Sequence, residues 1–105
     1  MSYKIFRTDT ADSMIRRIIL YVAENFGSET ALAKLGNLER SIDMLAGNPY
    51  AGVAPSYNVL RRQGYLVLIL EKDLVFYKVN DHEKIVTIYA VVDQRQDYLS
   101  IIRGL

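Results

Sequence analysis

The hydrophobic period of this chain changes once, and that change limits the folds open to it. From Ala11 to Leu45 apolar residues recur three or four apart, the spacing of amphipathic helices. From Tyr65 to Val92 they fall in short runs rich in β-branched and aromatic residues, the pattern of strands. Gly47-Asn48-Pro49 and a loop over 50–57, marked by Gly52 and Pro55, separate the two regimes. A chain that is helical first and stranded afterwards belongs to the α+β class. Its 105 residues suit one compact domain spanning 1–105.

Each regime divides further. Tyr3 to Thr8 has strand character. Thr8, Asp9 and Thr10 are candidate N-caps for a first helix, and Asp12 puts negative charge where the helix dipole favours it. Ala11, Ile15, Ile18, Val22 and Phe26 form that helix's apolar stripe, while Leu20 interrupts its polar face. Gly27 stops the helix, and Ser28 is placed to cap a second, whose stripe is Ala31, Leu35, Leu38, Ile42 and Leu45. So short a junction implies an αα-hairpin.

The second half reads as strands over 65–70, 74–79 and 84–92, joined by the polar turns Glu71-Lys72-Asp73 and Asn80-Asp81-His82-Glu83. Connections this short permit only an antiparallel meander. Strict alternation would put Val86, Ile88, Ala90 and Val92 on one face of the last strand, with Thr87, Tyr89, Val91 and Asp93 on the other. A short helix over 97–102 closes the chain. The expected architecture is an N-terminal strand, an αα-hairpin, a three-stranded antiparallel meander and a short C-terminal helix. The hairpin covers one sheet face, and the other stays partly open.

Composition removes several kinds of chemistry. There are no cysteines, which excludes disulfides, thiolate catalysis and cysteine-ligated zinc. His82 is the only histidine, so no multi-histidine metal centre can form, and no cofactor is implied. The net charge is +1, with basic and acidic residues evenly divided along the chain. No basic stripe of the kind that grips phosphates is visible, although folding can still assemble a local cluster. The N-terminus lacks the apolar run of a signal peptide, and no stretch approaches the ~18 apolar residues that span a membrane. The cytoplasm is the default location.

Taken together, these residues resemble the RelE/ParE superfamily, the toxins of type II toxin–antitoxin (addiction or plasmid-stabilisation) modules. Thr8, Ala11, Ile15, Ile18, Tyr21 and Val22 are similar to the family's opening helix. Gly27, Leu38, Leu45, Pro49 and Gly52 resemble its second helix and loop. Leu60-Arg61-Arg62-Gln63-Gly64-Tyr65 resembles the entry to the meander, and Val75-Phe76-Tyr77-Lys78-Val79 its central strand. Val86, Ile88 and Val91, followed by Arg95, Asp97 and Tyr98, resemble the closing strand and tail. Three positions depart from the pattern. Met14 stands where Asp is frequent, Leu66 where many members have arginine, and Asp93 where many have histidine. The last two changes remove groups that RNA-cleaving members tend to use.

The resemblance implies growth inhibition by one of two routes. A ParE-like toxin binds and poisons DNA gyrase and needs no acid–base set, which the near-neutral charge and missing histidine favour. A RelE-like toxin cuts mRNA in the ribosome without a metal, by attack of a ribose 2′-OH on the adjacent phosphate. That reaction needs a base, an acid and positive charge. The resemblance would assign charge to Arg61, Arg62 and Arg95, and proton donation to Tyr98 or Tyr89. Tyrosine, with a reference pKa of about 10, needs neighbouring cations to do this at neutral pH. A plainer reading makes Arg61 and Arg62 a solvated pair, joins Arg95 to Asp93 or Asp97, leaves most tyrosines as packing residues and exposes His82. A third route is a degenerate member that only binds its antitoxin. All three share that partner, for which Leu20, Tyr21, Ile101 and Ile102 are the expected surface.

Overall fold

The structure, a computed structural model, describes residues 2–105. Strand β1 (Lys4–Arg7) leads into α1 (Asp9–Phe26) and α2 (Ser28–Asp43), which ends in a 3-10 turn at Met44–Ala46. After a loop come α3 (Asn58–Arg62), β2 (Leu66–Ile69), β3 (Asp73–Asn80), β4 (Ile85–Asp93) and α4 (Tyr98–Arg103). The sheet order is β1-β4-β3-β2. The meander is antiparallel, as its turns require, and β1 lies parallel to β4, with Lys4 opposite Ile85 and Arg7 opposite Ile88. A parallel neighbour is possible because the whole hairpin and the meander intervene between these strands.

The helix ends follow local chemistry. Thr8 is extended and its hydroxyl accepts from the Ala11 N–H at 3.0 Å, with Asp9 and Asp12 in the first turn. Gly27, at φ 95°, ends α1 and is itself the cap of α2. Ser28 is therefore the first helical residue and not the cap expected of it. The left-handed bend at Gly27 compresses the junction to one residue.

A single irregularity decides what each sheet face carries. The β3–β4 register passes from Phe76 opposite Ala90 to Tyr77 opposite Ile88, so Tyr89 is an extra, bulged residue. Strict alternation along β4 therefore fails. Val86, Ile88 and Val91 share the hairpin face with Val75, Tyr77 and Leu68, packed against Ala11, Ile15, Leu38, Ile42 and Leu45. Ala90 and Val92 turn to the opposite face with Phe76, Leu74, Tyr65 and Val67. That second face is more covered than expected, because Leu60 of α3 and Ile102 of α4 are fully buried on it.

Burial also falls along α1. Ala11 and Ile15 are buried, Ile18 and Val22 half-buried, and Phe26 is 65% exposed. The last turn of the apolar stripe thus lies outside the core.

Two polar fastenings hold the loops to this frame. The Gly52 N–H donates to the buried Tyr77 hydroxyl at 2.9 Å, and Val53 and Val67 exchange two backbone hydrogen bonds of 2.9 Å. The loop thereby covers the outer edge of β2 at that point. Near the opposite end, Tyr3 and Tyr50 donate their hydroxyls to the two oxygens of Asp81, at 2.6 and 2.5 Å. This joins the start of β1, the loop and the β3–β4 turn. The two phenols hold the Asp81 carboxyl below its usual range, and Asp81 pushes Tyr50 up to about 12.

A methyl group at Gly52 would sit 2.6 Å from the Tyr77 hydroxyl and 2.7 Å from the Val67 carbonyl. Gly52→Ala is expected to lower unfolding stability by about 1–3 kcal/mol, the cost of overpacking, in a denaturant titration. A second expectation concerns pH. A phenol whose folded pKa is raised contributes stability that is complete below about 10 and fades as pH climbs through its folded value. Ultraviolet titration of phenolate should show one tyrosine ionising near 12. In Asp81→Asn that tyrosine should move down towards its ordinary value; an unmoved titration would refute the assignment.

Candidate functional site

The second sheet face carries the tyrosines that the ribonuclease assignment requires, Tyr98 and Tyr89. Tyr98, at the start of α4, meets Tyr57 edge-on at 5.6 Å between ring centroids and packs on Phe76 at 5.3 Å. Tyr65 meets Tyr89 at 5.5 Å and Phe76 at 6.3 Å, both edge-on. The Lys78 ammonium stands 4.5 Å from the Tyr65 ring centroid and 5.1 Å from that of Tyr89, a cation–π contact on both. These rings pack on one another; Tyr89 faces them by alternation from Ile88, and the bulge brings Ala90 and Val92 to the same face.

The electrostatics there run against proton transfer. Burial, then the neighbouring Tyr57, push the Tyr98 phenol above its ordinary pKa. Burial does the same to Tyr65, followed by Tyr89. No arginine is among the groups acting on Tyr98. A phenol shifted this way holds its proton more tightly, which weakens it as an acid at neutral pH.

The three candidate arginines are not drawn together around it. Arg61 and Arg62 occupy the last turn of α3, where the helix dipole favours cations, and both are exposed. The Arg61 guanidinium donates to the Asn58 side chain. Arg95 lies beyond the end of β4 with its side chain 88% exposed, joined to Asp93 by an ion pair of 3.0 Å. Its hydrogen bonds, side chain first, hold the Asp93 carboxyl below the usual carboxylate range. Tyr21 of α1 also acts on Arg95, so its surroundings belong partly to the helical hairpin.

That end of the ladder is dense in charge. Asp73 and Asp93 stand directly opposite each other, and the buried Asp73 is paired with Lys34 of α2. Among the described residues, no three His, Cys, Asp or Glu side chains are grouped to hold a metal ion.

The expected partner surface divides. Leu20 and Tyr21 are each 60% exposed on α1, and Arg16 and Arg17 beside them are exposed too. Ile101 is half-buried, whereas Ile102 is 0% exposed and belongs to the core under α4. While α4 stays docked, Ile102 has no surface to offer. Sequence reasoning missed Phe26, which it placed on the buried stripe, and Leu32, also exposed. Phe26 forms part of a cleft of about 640 Å³ between the hairpin and the β2–β3 turn, with Val22, Lys34, Leu70 and Asp73.

Solved structures of low sequence identity share this fold. The chromosomal ParDE toxin–antitoxin system of P. aeruginosa matches with a TM-score of 0.73 and 19% identity, covering 88% of this chain and 96% of that one. The RelBE2 toxin–antitoxin complex of Mycobacterium tuberculosis matches at 0.63 and 16% identity, over 90% of this chain and all of that chain. A mutant of the E. coli toxin RelE in the free state matches at 0.63 and 15% identity, over the full length of both chains. The search of curated protein sequences returns no match. The architecture is thus that of the RelE/ParE superfamily toxins. Residues 5–98 match the family of ParE toxins of type II toxin–antitoxin systems, parDE, and the chain belongs to that family.

Proposed function

We propose that this toxin stops growth by binding and poisoning DNA gyrase, and that it does not cut RNA. The observation that carries the reading is the state of Tyr98. The side chain that would donate a proton is packed between Tyr57 and Phe76, and its pKa is raised. With His82 the only histidine and outside the Tyr98 cluster, the aromatic face lacks an acid–base pair suited to 2′-OH attack. A binding toxin has no need of one.

The cognate antitoxin is the proposed second partner. Its segment would cover the exposed stripe Arg16, Arg17, Leu20 and Tyr21 on α1, with Ile101 at the margin. Two large apolar side chains set among guanidinium groups suit a segment that combines apolar anchors with carboxylates.

In a supercoiling assay the purified toxin should inhibit gyrase at micromolar concentration, and ribosome-bound mRNA should remain intact. Tyr98→Phe, which keeps the ring and removes the proton, should retain full growth arrest. Lost toxicity in a folded Tyr98→Phe protein, together with mRNA cleavage by the wild type, would replace this reading with the ribonuclease.

Leu20→Asp should weaken binding of the antitoxin encoded beside this toxin by roughly tenfold or more, from the loss of a buried leucine. Isothermal titration would measure it, and unaltered affinity would remove Leu20 from the surface.

A further inference from the structure

The ends of β3 and β4 place two carboxylates, Asp73 and Asp93, directly across the ladder from each other. Like charges so placed repel, and each is answered by its own cation. Lys34 pairs with Asp73, and Arg95 pairs with Asp93.

The second pairing is unusually complete for an exposed group. The Arg95 backbone N–H donates to Asp93 Oδ1 at 2.8 Å, Nε donates to the same oxygen at 3.0 Å, and Nη2 donates to Oδ2 at 3.1 Å. The carboxylate therefore takes one edge of the guanidinium fork with both oxygens. A phosphodiester offers two oxygens in similar geometry and would seek the same edge. Asp93 is only two residues away and is fixed by the backbone bond, so it competes as an intramolecular ligand.

We propose that Asp93 is a specificity-determining residue that holds Arg95 in a neutral pair and closes it to phosphodiesters, so that the β4–α4 turn rejects RNA. This extends the reading of the toxin as one that does not cut RNA. Its test measures RNA binding alone, so its failure is separable from the outcome with gyrase.

The probe is a fluorescently labelled single-stranded oligouridine, titrated at several salt concentrations with wild type, R95Q, D93N and the double variant D93N/R95Q. R95Q should bind no better than wild type, because the closed arginine contributes no phosphate contact and its loss leaves the Asp93 carboxylate unpaired. D93N should bind up to about fivefold more tightly, the range set by an exposed ion pair. Its log–log salt dependence should be steeper by about 0.7, the signature of one added phosphate contact on a single strand. The double variant should return to the wild-type value.

The backbone bond from Asp93 N–H to Gln96 Oε1 survives in every variant, since it does not use the exchanged side chain. D93S, which keeps a hydroxyl acceptor for the Arg95 N–H, replaces D93N if the latter melts early. The proposal is overturned if D93N or D93S binds no better than wild type. It is equally overturned if R95Q binds more tightly than wild type, or if the gain survives in the double variant.

Discussion

The pairing of β3 with β4 is the constraint on which the rest of the molecule depends. These strands form the centre of the sheet, and both faces draw their largest buried side chains from them. Tyr77 and Phe76, neighbours on β3, point to opposite faces and are essentially closed to solvent. The extra residue at Tyr89 lets β4 serve both sides in turn, with Val86, Ile88 and Val91 towards the helices of the hairpin and Tyr89, Ala90 and Val92 towards α3 and α4. Without it, Val91 would leave the hairpin face and Ala90 would take its place.

Much of this was legible from residue order. The helix boundaries at Thr8 and Gly27 follow from capping chemistry, and the antiparallel ribbon follows from the brevity of its turns. What stayed hidden has identifiable causes. A bulge leaves no mark in apolar periodicity, because Val86 to Val92 is apolar or aromatic at almost every position. Helix α3 spans too few residues to show a period, and only the buried Leu60 and the left-handed Gly64 behind it betray the turn. The parallel contact of β1 with β4 depends on strands far apart in the chain, which local pattern cannot join. Phe26 was misplaced because a helical stripe says which residues share a face, not how far the surface beneath them extends.

The candidate site shows the same division. That Arg95 could pair with a nearby acid was visible from spacing, and Asp93 is the partner found. That Ile102 sits under α4 while Leu20 stays outside could not be read from hydrophobicity, which ranks the two side chains alike. Charge balance along the chain was also a poor guide to charge balance in space. The acids and bases gathered at the end of the β3–β4 ladder largely cancel one another, and Arg61 and Arg62 remain exposed on α3.

The union of Lys4 with Ile85 and of Arg7 with Ile88 carries a consequence for how the toxin comes into being. The first strand of the sheet in chain order has its neighbour in the last, and contacts so remote in the chain are entropically late to form. The hairpin can fold early, but its apolar stripe has no complete sheet to cover until β4 leaves the ribosome. Until β4 pairs with β1, the polypeptide exposes apolar surface that the finished sheet conceals.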